Sequence, residues 1–264
     1  MVSHFAKWTA GAAAAAAVAL MPIAAASADS LIRDAEIEAT LRAYADPIFE
    51  AAGLDAHAVQ VHIIDNPRIN AFVSGGMQMF VHTGLLTAAE NPNEVIGVIA
   101  HETGHIVGGH LSRIDEAVEN ATIEMIIGTL VGVAVGVLAE DPAPVMVGQG
   151  AAQMAALRSL MKHTQNEERA ADQTAFRLLE STGQAPDGMA SFFKVLQRQE
   201  ALSTERQDPY LRTHPLTSSR VTAAEAAVAR SHFAGKPDAP EMMMRHQRML
   251  AKLNGYLKPT QVAR

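Results

Sequence analysis

The sequence predicts a mainly helical α+β fold with one small sheet, and three observations lead there. Apolar residues recur at helical spacing in most segments, and short stretches of alternating apolar and polar residues are confined to residues 59–82. The chain has 264 residues, 48% of them hydrophobic, and no cysteine, so an apolar core rather than disulfides must hold it.

The N-terminal stretch stands apart from that core. Lys7 precedes an Ala-rich apolar run from Ala10 to Ile23, and the small triplet Ala26-Ser27-Ala28 comes just before Asp29. This arrangement predicts a secretory signal over residues 1–28, with residues 29–264 as the mature domain. An uncleaved membrane anchor over residues 8–28 is the competing reading, but the run is shorter than the ~20 residues a span needs. Export follows from either. The formal charge is -7 and no Lys/Arg-rich run exists to neutralise phosphates, which argues against nucleic acid and for a protein or peptide partner.

From Leu31 to Gly53, Ile37, Leu41, Tyr44 and Ile48 recur at steps of four, three and four among acidic and basic residues, the pattern of an amphipathic helix. "AVQVHIID" then alternates, and "INAFV" and "MQMFVH" are further short strands, which makes a sheet of about three. In "NPNEVIGVIAHETGHIV", Asn91 is a helix cap, Pro92 takes the first helical position and Glu94 follows three residues after the cap. Val95, Ile96, Val98, Ile99 and Ala100 make this helix apolar on nearly all sides, so its polar residues need partners.

Two apolar stretches follow, within residues 125–161 and separated by "EDPAP"; they predict a helical hairpin. Gly128, Gly132 and Gly136 fall four apart, a ridge without side chains along which another helix can approach closely. The hairpin can pack against the protein or make peripheral contact with a membrane. After Lys162, "TQNEERAADQTAFRLLESTG" is a helix ending near Gly183, and another starts at Pro186. "DPYLRTHPLTSSR" is a loop, an Ala-rich helix spans Val221 to Ser231, and a last helix begins near Ala239. That helix carries no stop signal, so residues 239–264 can lead into a further region.

His101 and His105 lie four apart, about 400° of helical rotation, so they project side by side and can hold one divalent ion. Glu102 sits where it can take a proton from metal-bound water; zinc lowers the pKa of that water from about 15.7 to about 7. A catalytic zinc takes three protein ligands. His110 is five residues beyond His105, and on a continued helix it would point about 180° away from His101, so spacing excludes it as a ligand. Glu168 and Asp172 share a helix face: one can ligate while the other accepts a hydrogen bond from a ligand imidazole. Glu167 competes as ligand, but its i+4 neighbour Ala171 can support nothing.

Four segments, "INAFVSGGMQMFVHTGLL", "NEVIGVIAHETGHIVGGH", "NEERAADQTAF" and "THPLTSSR", resemble in order and spacing the M48 family of zinc metallopeptidases, gluzincins related to the prenyl-protein proteases. The resemblance runs from about Ala35 to Ala227. It implies a zincin-like domain whose small sheet borders the active-site helix, with one zinc ion on His101, His105 and Glu168 and Asp172 behind a ligand. Ala170 departs from the family's usual second Glu, at a position that is not a ligand. The resemblance also implies that Asn70, Ala71 and Phe72 lie on an edge strand where a peptide pairs, and that Arg220 contacts substrate. His214 would stabilise the oxyanion or cap the metal at rest. Its exported members imply a periplasmic endopeptidase acting on unfolded or misassembled envelope proteins. A zinc-containing, chaperone-like or membrane-associated binding protein without turnover is the alternative; it would have no use for Glu102.

Overall fold

The computed structural model describes residues 30–257, apart from Gly76, residues 140–142, Ala201 and residues 204–205. The expected signal segment and the residues after Leu257 lie outside that range.

Four strands form the sheet: β1 (Ser30–Ile32), β2 (Gln60–Asp65), β3 (Ala71–Ser74) and β4 (Gln78–His82), in the order β1-β2-β4-β3. The expectation of about three strands misses β1, three residues long and held antiparallel to β2 with Leu31 opposite Ile64. β4 runs parallel to β2 and antiparallel to β3, so β3 is an edge. Period-two alternation sends Val61, Ile63, Met79, Val81, Ala71 and Val73 to one face. That face packs on helix α1 (Ala35–Ala51), which presents Ile37, Leu41, Tyr44, Ile48 and Phe49 to the core. Burying each such side chain contributes about 1.5–3 kcal/mol. Asp34 caps α1 by accepting from the backbone N–H groups of Glu36 and Ile37, both at 3.0 Å.

Helix α2 (Thr83–Ala88), one short turn unforeseen in the sequence, leads into the central helix α3 (Pro92–Gly108). Asn91 caps α3 by accepting from Glu94 N–H at 3.0 Å, while the Glu94 carboxylate reaches back to the Glu90 N–H at 2.9 Å. Every residue of α3 from Pro92 to His105 is buried. The helix stops at Gly109, whose φ of 63° is the left-handed conformation glycine adopts freely.

The hairpin consists of α4 (His110–Ala139) and α5 (Ala143–Ser181). The helix expected after Lys162 is not separate: α5 is one 39-residue helix that carries the apolar arm at one end and Glu168 and Asp172 further along. Of the two placements open to the hairpin, packing against the rest of the protein is not the one found. Leu130, Val137, Leu138 and Met146 are 62%, 72%, 86% and 77% exposed, and the arms pack on each other. The glycine ridge serves that contact. A Cβ on Gly128 would come within 2.6 Å of Ala152 Cβ, and one on Gly148 within 2.7 Å of Gly132 Cα.

Helix α6 (Asp187–Glu200) packs on α3, where Gly188 N–H donates to Asn93 Oδ1 at 2.6 Å. The segment expected as a loop holds a short helix, α7 (Pro209–Thr213), before α8 (Ser218–Arg230) and α9 (Pro240–Leu257). Lys252 of α9 reaches Asp34 at 3.0 Å, tying the end of the described chain to the start of α1.

Candidate metal centre

The site forms where α3 crosses α5. Gly104 sets the approach: a Cβ there would lie 2.7 Å from the Ala171 carbonyl oxygen, so only glycine lets the helices come this close. The crossing sets Glu168 and Asp172, one turn apart on α5, against His101 and His105 on α3. His214, just past α7, closes the group from the other side.

One donor atom from each of His101, His105, Glu168 and His214 lies within 4.8 Å of the others, and all four residues are buried. His101 Nε2 and His105 Nε2 are 3.1 Å apart, and His101 Nε2 is 3.4 Å from Glu168 Oε2. His105 Nε2 is 3.3 Å and His214 Nδ1 3.0 Å from Glu168 Oε1. Tetrahedral zinc with bonds of about 2.0–2.2 Å separates its donors by about 3.3–3.6 Å. The observed pairs lie at that spacing for His101 and His105 to Glu168 (3.4 and 3.3 Å) and slightly inside it for His101 to His105 and His214 to Glu168 (3.1 and 3.0 Å), within a small adjustment of the shell. Imidazole nitrogens with carboxylate oxygen also match zinc's preference in donor chemistry.

The surrounding groups hold the donors in place. His101 turns its outer nitrogen, Nδ1, to Asp172 Oδ1 at 2.9 Å. Arg220 donates to both Asp172 oxygens, through Nε at 2.7 Å and Nη2 at 2.8 Å, while Nη1 is 2.8 Å from Glu168 Oε2. The guanidinium also lies 5.0 Å from the centre of the Phe193 ring. Arg220 is thus 2% exposed and committed to two carboxylates, not facing a substrate as the sequence resemblance implied. Its local sequence could not show this, because the partners lie about fifty residues upstream on another helix.

Electrostatics follow from this packing. Burial disfavours charge on His101, but its contacts to Asp172 and Glu168 outweigh that and push its pKa up to about 10. His105 lacks a second carboxylate, and burial pushes its pKa down to about 3. Burial opposes ionisation of Glu168 and Asp172 too. The facing histidines nevertheless hold Glu168 low, and the Arg220 and His101 hydrogen bonds hold Asp172 low. Among the described residues, neither oxygen of the fully buried Glu102 has a hydrogen-bond partner, and burial raises its pKa. His214 Nε2 lies 3.6 Å from Glu102 Oε1. A buried carboxylate without a hydrogen bond, next in sequence to a donor histidine, calls for a polar partner.

Glu167, the competing ligand, points elsewhere, 3.0 Å from His163. His110 is also outside the donor set. Of the edge-strand residues, Ala71 faces the core, Phe72 stacks on Phe80 with ring centres 5.0 Å apart, and Asn70 keeps its Oδ1 buried without a hydrogen bond. Ile69, just before β3, accepts from Tyr210 N–H at 3.3 Å, and the Tyr210 ring lies 4.6 Å from that of His214. Tyr210 therefore links the edge strand to the donor cluster, a role no spacing in the sequence signals.

Comparison with known proteins agrees with this architecture. A model of peptidase family M48 matches residues 32–228. The beta-barrel assembly-enhancing protease of Yersinia pestis is 28% identical over 163 residues, covering 62% of this chain and 33% of the relative. Metalloprotease LoiP of Escherichia coli is 28% identical over 155 residues, 58% of this chain and 56% of that protein. Human mitochondrial metalloendopeptidase OMA1 is 40% identical over a shorter stretch of 53 residues. The match spans about a third of the length of the assembly-enhancing protease. With the family model covering strands β2 to β4, both zinc-motif helices and the His214 segment, the chain belongs to peptidase family M48, whose members are zinc metallopeptidases.

Proposed function

We propose that the chain is a zinc metalloendopeptidase of the cell envelope that hydrolyses peptide bonds in misfolded or misassembled envelope proteins. The observation that carries this is the buried Glu102 carboxylate, without a hydrogen bond among the described residues, beside the His101, His105 and Glu168 donors. When bound there, zinc supplies Lewis acidity that activates water and polarises a peptide carbonyl.

The chain's own residues do the rest. His101 and His105 bind through Nε2 and Glu168 through its carboxylate. Glu102 accepts the proton of the attacking water and hands it to the leaving amine. Asp172 keeps the His101 Nδ1 proton in place, and Arg220 clamps Asp172 and Glu168 together. The edge strand β3, with Asn70 just before it and Ala71 and Phe72 at its start, takes an extended substrate by strand addition. His214 Nδ1 sits among the donors, an arrangement that favours a capping role at rest over an oxyanion role.

Envelope substrates are inferred from the export signal in the sequence and from the name of the assembly-enhancing relatives. Holding clients without turnover is the second reading, and the exposed apolar hairpin is the observation that favours it. Cleavage of an unfolded protein separates the two. A chelator should abolish cleavage and added zinc restore it. Glu168→Ala should lose both zinc and cleavage, whereas Glu167→Ala should keep both. A protein that binds unfolded chains and never cuts them would establish the holding reading.

A further inference from the structure

We infer that His110 is the positioning residue of the ligand His105, accepting the proton on His105 Nδ1 and so fixing the tautomer that presents Nε2 to the metal. This rests on the reading that His101, His105 and Glu168 hold zinc. The two Nδ1 atoms are 2.9 Å apart, and the rings meet nearly edge to face, with centres 4.8 Å apart and planes at 83°. A neutral imidazole carries one N–H. His105 directs Nε2 into the donor cluster, so that nitrogen must offer its lone pair and the proton must sit on Nδ1. Only one proton fits between the two Nδ1 atoms. His105 therefore donates, His110 accepts, and His110 carries its own proton on Nε2.

The backbone is built for this contact. On a continued helix the His110 ring would point away from the cluster; instead α3 ends at Gly109 in the left-handed conformation and α4 starts at His110. The turn folds the His110 ring back over the last turn of α3. It lands on Gly108, where any Cβ would collide with the imidazole. Two adjacent glycines thus do separate jobs: Gly109 allows the reversal and Gly108 leaves the space. His110 is 5% exposed, which keeps water from replacing it as acceptor.

The two ligand imidazoles are therefore held differently. His101 donates to a carboxylate that Arg220 locks, whereas His105 donates to a neutral ring.

Long-range nitrogen-proton NMR spectra of the zinc-loaded wild type test the tautomers directly. His105 should be protonated at Nδ1 and His110 at Nε2; a His105 protonated at Nε2 would overturn the inference. Zinc affinity, measured by chelator competition, tests the consequence. His110→Ala should weaken it about 10–100-fold. His110→Asn, whose amide oxygen can accept in place of Nδ1, should recover most of that loss. The recovery by Asn should appear in zinc affinity and exceed any difference between the two variants in zinc-free melting temperature; a merely structural role would make affinity follow that melting temperature. Wild-type zinc affinity in His110→Ala, or no difference between the Ala and Asn variants, contradicts the proposal. A wild type that binds no zinc at all, or a Glu168→Ala variant that keeps it, instead removes the metal-centre reading on which the proposal stands.

Discussion

Arg220 shows at residue scale how a charge can be buried usefully. Taking a guanidinium out of water costs several kcal/mol, offset only when its donors are matched, and here two carboxylates, a carbonyl and a phenyl ring surround it. Arg220→Ala removes the guanidinium that pairs with both Asp172 and Glu168 and leaves buried carboxylate oxygens without their donors, so we expect a loss of about 3–5 kcal/mol in urea unfolding. Arg220→Lys should recover only part of it, because one ammonium cannot reproduce the two-point contact to Asp172. The pairings of His101 with His105 and of Glu168 with Asp172 were legible in the sequence because helical geometry converts a spacing of four into a shared face, and Glu102 was marked by its place beside His101 in the His-Glu-x-x-His pattern. Arg220 and Tyr210 were not, since their roles depend on which helices cross, and His110 was misdirected by assuming that α3 continues through Gly109.

Elements follow the same division. Caps and periodicity are local, so α1, α3, α6, α8 and α9 can be read from their own residues. β1 and α7 are three and five residues long and owe their form to neighbours. The single helix α5 was hidden because its composition changes from apolar to charged near Lys162 while its helical geometry does not. Its crossing with α3 depends on Gly104: Gly104→Ala should cost about 1–3 kcal/mol. It should also weaken zinc binding, as the Ala171 backbone and the ligand Glu168 move away together. Helix α9 supplies a pH-dependent contact. His246 faces the Ala89 carbonyl at 3.2 Å and the Tyr44 hydroxyl at 3.3 Å. Burial pushes its pKa down against the opposing pull of Ala89, Asp238 and Glu94. The unfolded chain therefore binds the extra proton first, and stability is lost as pH falls below the unfolded value of about 6.5. His246→Gln should show a smaller drop in urea midpoint between pH 7 and pH 5.5 than wild type. An equal drop would remove His246 from the account.

The whole molecule joins a buried metal centre to an exposed apolar arm. From Met125 to Ala139 and from Ala143 to Leu157 neither arm carries a charge, about 22 Å of helix on each side. The charged boundary is level on the two arms, for Ser159 donates to Glu124 at 3.3 Å. On α4 the exposed apolar side chains point to most sides, and the α5 arm adds Met146, Val147, Met154 and Leu157 along one face, an uncharged surface that suits lipid. We therefore expect the protein to associate with liposomes and to need detergent for release. Leu130→Glu combined with Leu138→Glu should abolish that association. Unfolding stability should stay within about 0.5 kcal/mol, since neither side chain is buried. Liposome binding unchanged by these charges would remove the membrane contact.

The most direct test of the zinc-peptidase account measures zinc content and cleavage of an unfolded protein on the same preparation of Glu102→Gln. The account predicts one zinc per chain, as in wild type, with cleavage abolished. A Glu102→Gln protein that holds zinc and still cleaves at the wild-type rate would contradict it.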